Sequence, residues 1–96
     1  MIIGRDGNDA QAPERRMLAR EEHLQRLQKM VESGETIFAT AMLDEEDNMV
    51  GSVMILNYQS REQVDNYLRN EPYIIKNVWQ DLEIRKCAVP PLFMKK

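Results

Sequence analysis

"TIFATAMLDEEDNMVGSVMILNY", residues 36–58, decides the fold. Residues 36–43 and 49–58 are β-branched and aromatic runs, and the acidic cluster 44–48 between them carries turn-forming Asp44 and Asn48. This is a β-hairpin, with Gly51 marking a bulge or a close backbone approach. Both arms are apolar on both sides. Ile37, Ala39, Ala41 and Leu43 alternate with Phe38 and Met42, and Val53 and Ile55 alternate with Met54 and Leu56. A strand that is apolar on both sides needs both sides covered.

Outward from the hairpin, each flank supplies a helix and a strand. Upstream, "MIIGR" predicts a strand over 1–5, ended by the turn residues Asp6, Gly7 and Asn8. A long helix follows over 13–33, with Pro13 in its first turn and Gly34 closing it. Met17, Leu24, Leu27, Met30 and Val31 recur as one apolar stripe, and Arg15, Glu22, Arg26 and Lys29 take the opposite face. Glu22 and Arg26, four apart, form an expected ion pair. Downstream, "SREQ" from Ser60 is a capping box for a helix that must stop near Asn70, because Pro72 disfavours a helical Glu71. Residues 71–77 read as an irregular turn or one short helical turn. The fourth strand spans 78–87 and is ended by Pro90 and Pro91.

The order βαββαβ predicts an α+β, ferredoxin-like domain: a four-stranded antiparallel sheet with two helices on one face. Two helices cover only one face, so the second apolar face of 36–43 and 49–58 calls for a second copy of the chain, a homodimer. The alternative is a tail folded over the sheet. The 96 residues form one expected domain, with a core at 1–87 and a tail at 88–96.

Composition narrows the function. Apolar residues make up 43% and charged residues 30%, with a net charge of −3. No basic stripe interleaved with aromatics is present, which argues against nucleic acid. No apolar run approaches the ~20 residues of a membrane span, and "MIIGRDG" lacks the regions of a signal peptide. The single Cys87 has no partner for an internal disulfide and reads as a buried or strand-end thiol, and the chain as cytoplasmic. One His, one Cys and scattered acids give no metal-ligand spacing, and no cofactor motif appears.

Three segments, "AREEHLQRL" at 19–27, "GSVMILNYQSREQV" at 51–64 and "NEPYIIKNVWQDLEIR" at 70–85, resemble the YCII-related (YciI-like) family over roughly residues 1–87. The resemblance implies the dimeric α+β-barrel form of the ferredoxin-like fold and a cleft with a histidine–acid pair. It places His23 at the family's helix histidine and Arg20 at the arginine one turn before it. Glu71 stands where the family usually has Asp, and Pro72 and Tyr73 match directly. A carboxylate one methylene longer shifts the pair by about an ångström, a displacement that can cost about 100-fold in rate.

The chemistry implied is acid–base work. Imidazole titrates near pH ~6.5 and can both take and give a proton at neutral pH. A carboxylate on one ring nitrogen fixes the tautomer and leaves the other for substrate. Arg20, three residues before His23, can hold an anion as a fork, and Tyr73 forms a pocket wall. Taken singly, His23 also fits a packing residue at the rim of the apolar stripe, Arg20 a solvated cation and Glu71 a turn carboxylate. Tyr58, Tyr67, Tyr73 and Trp79 fit a ligand wall, with core packing as the default. Two functions follow. One is a small-molecule enzyme performing isomerisation or elimination on a small substrate, aromatic ones included. The other is a non-catalytic dimer of the same fold that binds a ligand or a partner.

Overall fold

A computed structural model describes residues 1–94; Lys95 and Lys96, the end of the expected tail, lie outside the described residues. The elements are β1 (Ile2–Asp6), α1 (Ala12–Glu32), β2 (Thr36–Leu43), β3 (Met49–Leu56), α2 (Arg61–Arg69), the one-turn α3 (Pro72–Ile75) and β4 (Trp79–Ile84), with a 3-10 turn at Pro91–Phe93. The strands lie in the order β2-β3-β1-β4, every neighbouring pair antiparallel. This is the ferredoxin-like α+β arrangement expected from the sequence, with α3 as the short turn after Asn70. The fourth strand is shorter than expected. It ends at Ile84, and Cys87 is exposed beyond it.

Local chemistry sets the boundaries. After α1, Gly34 takes a left-handed φ of 84°. Its N–H donates to the Val31 carbonyl, and the Glu35 N–H reaches back to Met30, a Schellman closure that an L side chain would strain. At α2 the Ser60 hydroxyl accepts from the Gln63 N–H, while the Gln63 side chain accepts from the Gln59 N–H.

The helices pack on one face of the sheet. The register puts Ile2, Gly4, Ala39, Ala41, Ser52 and Met54 on that face, and Ile3, Phe38, Thr40, Met42, Val53 and Ile55 on the other. The core joins Ile2, Met30 and Met54 to Ala19, Tyr67, Tyr73, Val78 and Trp79. On the open face the β2–β3 half is apolar, with Phe38 60% exposed, and the β1–β4 half carries Arg5 paired with Asp81 and Glu83. The described part of the tail does not cover this face: Leu92 and Phe93 are themselves exposed.

The buried side of α1 corrects the expected stripe. Met17, Leu24 and Val31 are exposed, whereas Ala12, Arg16, Ala19, His23 and Met30 are buried. The two sets lie roughly a third of a turn apart at ~100° per residue. The helix turns its Arg and His inward because buried carboxylates, Asp6 and Glu71, await them. The expected Glu22–Arg26 pair does not form for the same reason. Arg26 turns to Glu71, and Glu22 pairs with Lys76.

Candidate active site

Small residues make the site. Ala39, Ala41 and Ser52 floor the sheet beneath α1, where larger side chains would fill the gap, and a cavity of about 190 Å³ remains. Arg16, Arg20, His23 and Tyr73 also line it. At Gly4 the Trp79 ring lies so close to the backbone that an added Cβ would fall 2.5 Å from it. A glycine here lets the indole lie across β1 and turn its Nε1–H to Ser52.

His23 and Glu71, 48 residues apart in sequence, meet beside this cavity: His23 Nδ1 lies 2.6 Å from Glu71 Oε2. Glu71 sits at the start of α3, where Pro72 sets the first turn and the same Oε2 accepts from the Tyr73 N–H at 3.0 Å. The other oxygen, Oε1, accepts from the Tyr67 hydroxyl at 2.9 Å and from Arg26 Nη1 at 3.3 Å. Burial, the largest single influence, opposes ionisation of Glu71. The hydrogen bond and charge of His23, with the bonds from the Tyr73 N–H and the Tyr67 hydroxyl, together outweigh it and hold the carboxyl below its ordinary value. Burial, and then the charge of Glu71, push the Tyr67 phenol well up, so it remains a donor.

An ionised Glu71 only accepts, so Nδ1 carries the hydrogen and donates it. Nε2 is left without a protein partner among the described residues and is not sealed off from the cavity. The Tyr73 ring stacks on the imidazole, centroids 3.9 Å apart and planes within 9°, and Trp79 meets it edge-on at 6.0 Å. These contacts fix the imidazole plane.

A second polar cluster adjoins the first. Arg16, 3% exposed, grips Asp6 with Nη1 at 2.9 and 3.1 Å and donates from Nη2 to Ser52 Oγ at 2.9 Å. Its guanidinium lies 4.8 Å over the Tyr73 ring, on which it can act as a cation–π partner. Burial raises Asp6 above its ordinary value despite Arg16.

His23, Glu71 and Tyr73 thus come together. Arg20 lines the mouth of the cavity and forms no ion pair among the described residues. Sequence reasoning missed Arg16, Asp6, Arg26 and Ser52 as site residues and read Tyr67 as core packing or a ligand wall rather than as a donor to Glu71. Only the short side chains at 39, 41 and 52, all on one sheet face, signalled a gap. Among the described residues no group of three or more His, Cys, Asp or Glu is placed to share a metal ion, and no helix is long and apolar enough to cross a membrane.

Fold and site define a ferredoxin-like α+β protein with a buried imidazole–carboxylate pair between helix and sheet. The chain belongs to the YCII-related domain family, whose model matches residues 1–88. A comparison with curated proteins finds no match. Among solved structures it is similar to the 5-chloro-2-hydroxyhydroquinone dehydrochlorinase of Burkholderia phenoliruptrix AC1100, in complex with 2,5-dihydroxybenzoquinone. The TM-score is 0.70 and the identity 18%, over 91% of this chain and 93% of that one. At this identity the likeness is one of fold.

Proposed function

We propose that the chain is a small-molecule enzyme whose His23 moves a proton at Nε2, with Glu71 holding the ring. The observation that carries the reading is the 2.6 Å contact between Nδ1 and Glu71 Oε2, with the opposite nitrogen unpartnered at a cavity. A neutral imidazole so held accepts a proton at Nε2, and the adjacent carboxylate stabilises the imidazolium that forms. The same nitrogen then returns the proton elsewhere on the substrate or to a leaving group, which makes isomerisation or elimination the reaction class. Glu71, although longer than Asp, reaches the ring while also capping α3. Arg20 at the mouth holds a substrate anion, and Tyr73 forms the wall. The fold neighbour's name describes an elimination on a hydroxylated ring, which supports small hydroxylated rings as the first substrates to try.

The working form in this reading is a homodimer. Phe38, Met42, Val53 and Ile55 present an apolar open face that the described tail leaves bare, and a two-fold copy covers it. Sedimentation velocity is expected to show twice the chain mass; a single copy at micromolar concentration would contradict this part.

The catalytic part is tested by a thermal-shift screen of small hydroxylated aromatics and quinones on wild type and His23→Ala. NMR of the binders in D2O then follows solvent exchange of their C–H protons. The expected result is a ligand whose stabilisation vanishes in the variant and whose protons exchange only with wild-type protein. Equal stabilisation of both proteins by every binder would remove His23 from the site.

A further inference from the structure

Ser52 is a cavity hydroxyl whose two accepted hydrogen bonds are already in place. It lies on β3, on the helix-facing side of the sheet, between Gly4 and Ala41 in the neighbouring strands. Its Oγ accepts twice, from Arg16 Nη2 at 2.9 Å and from Trp79 Nε1 at 3.2 Å. A hydroxyl oxygen has two lone pairs, and both are used. What remains is its own hydrogen: both hydrogen bonds of Ser52 Oγ to described residues are accepted ones, and Ser52 lines the cavity with His23 and Tyr73. Neither Arg16 nor Trp79 can reverse its role, because guanidinium and indole N–H groups only donate. Asp6 anchors Arg16 from behind with two contacts. A hydroxyl that accepts from a cation becomes a stronger donor.

We propose that Ser52 is a ligand-binding residue, a fixed hydrogen-bond donor to an acceptor oxygen of the bound molecule, with Arg16 and Trp79 as its positioning residues. The proposal rests on the acid–base reading of His23 and deepens it by naming the ligand's chemistry. Ser52 donates, Arg20 is cationic, and burial, opposed by Arg16 and Arg20, keeps the Tyr73 phenol raised and protonated. Against these donors the cavity offers His23 Nε2 as an acceptor. The ligand is therefore a small oxygen acid with an acceptor oxygen near the proton His23 removes: an enol, a phenol or a hydroxyquinone. Charge developing on that oxygen as the proton leaves falls on the Ser52 hydroxyl and the cation behind it.

The test uses 2,5-dihydroxybenzoquinone as the probe and the sole tryptophan of the chain as the reporter. Probe binding is expected to move the single indole N–H resonance downfield, because Ser52 Oγ becomes a better acceptor once its own hydrogen is engaged. The shift follows the same midpoint as calorimetric titration. Ser52→Ala is expected to weaken binding about 10- to 100-fold, the loss of a hydrogen bond to a charged acceptor. Ser52→Thr, which keeps the hydroxyl beside small neighbours, restores it. If Ser52→Ala fails to fold, the wild-type indole shift and the Ser52→Thr titration decide.

The outcomes separate the two claims. If the indole resonance stays in place at saturation and Ser52→Ala binds as wild type while His23→Ala does not, the Ser52 inference falls and the acid–base reading stands. If Ser52→Ala loses the probe and His23→Ala keeps it, the inference stands and the His23 reading falls. No binding by wild type at millimolar probe overturns both.

Discussion

Two buried carboxylates lie in the layer between helices and sheet, each facing side chains from α1, and their surroundings shift them in opposite directions. Glu71 receives His23, Tyr67, Arg26 and the Tyr73 N–H, and its carboxyl is held below the ordinary value. Asp6 receives two contacts from a single guanidinium, and burial lifts it above the ordinary value. Against burial, Asp6 has mainly the one Arg16 guanidinium, whereas Glu71 has the hydrogen bond and charge of His23 together with the Tyr73 N–H and the Tyr67 hydroxyl. The balance of hydrogen bonds and charges against burial decides the direction in which a buried carboxyl shifts. The Asp6 cluster is also incomplete, since Arg16 Nε–H is buried without an acceptor. The first arrangement fixes a tautomer and suits a proton-transfer site. The second orients a hydroxyl and carries a stability cost.

The contrast breaks most visibly at Arg16. Arg16→Ala leaves Asp6 buried and unpaired and is expected to destabilise the fold by about 3–5 kcal/mol in urea titration. A loss below ~1 kcal/mol would show that Asp6 does not depend on its partner.

Glu71→Gln comes next, with an expected loss of about 1–3 kcal/mol at pH 7, because one acceptor oxygen becomes an amide donor facing donors. Its pH dependence sharpens the comparison. The folded value of Glu71 lies below its usual 4.5, so its contribution is complete above that pH and is lost as pH falls through the folded value. The gap between wild type and Glu71→Gln therefore narrows in acid. Asp6 has the opposite sign. Its folded value lies above 3.8, so the folded state binds the proton more tightly than the unfolded chain, and wild type gains on Asp6→Asn as pH falls through that value. Parallel slopes for the two variants would erase the distinction.

Arg26→Ala gives the smallest change. Arg26 is partly exposed and Glu71 keeps three other donors, so about 1–2 kcal/mol is expected. A loss equal to that of Arg16→Ala would mean that His23, Tyr67 and the Tyr73 N–H do not suffice to hold Glu71.

Much of the fold was legible because strand alternation, the Ser60 cap, Gly34 and Pro72 are local signals, each read within a few residues. The inward face of α1 was hidden. An arginine and a histidine in a charge-rich helix look solvated, and Asp6, in "RDGND", looks like a turn residue. Their burial is decided by a partner distant in sequence, which no periodicity can reveal. The same holds for the site. His23 and Glu71 were singled out through the resemblance of their flanking segments, since nothing in their spacing joins them. Arg26 read as half of a surface pair with Glu22, and Ser52 as a strand residue beside a bulge. Tyr67 read as packing or a ligand wall; the ring does pack in the core, but neither reading gave its hydroxyl to Glu71.

His23 is the only histidine in the chain, so its ring nitrogens can be observed without ambiguity by long-range proton–nitrogen correlation. With Glu71 ionised against Nδ1, the neutral ring is predicted to carry its hydrogen on Nδ1 and a bare Nε2, and Glu71→Gln is predicted to lose that preference. A neutral ring protonated on Nε2 in wild-type protein would contradict the account, because the nitrogen facing the cavity would then be unable to take a proton.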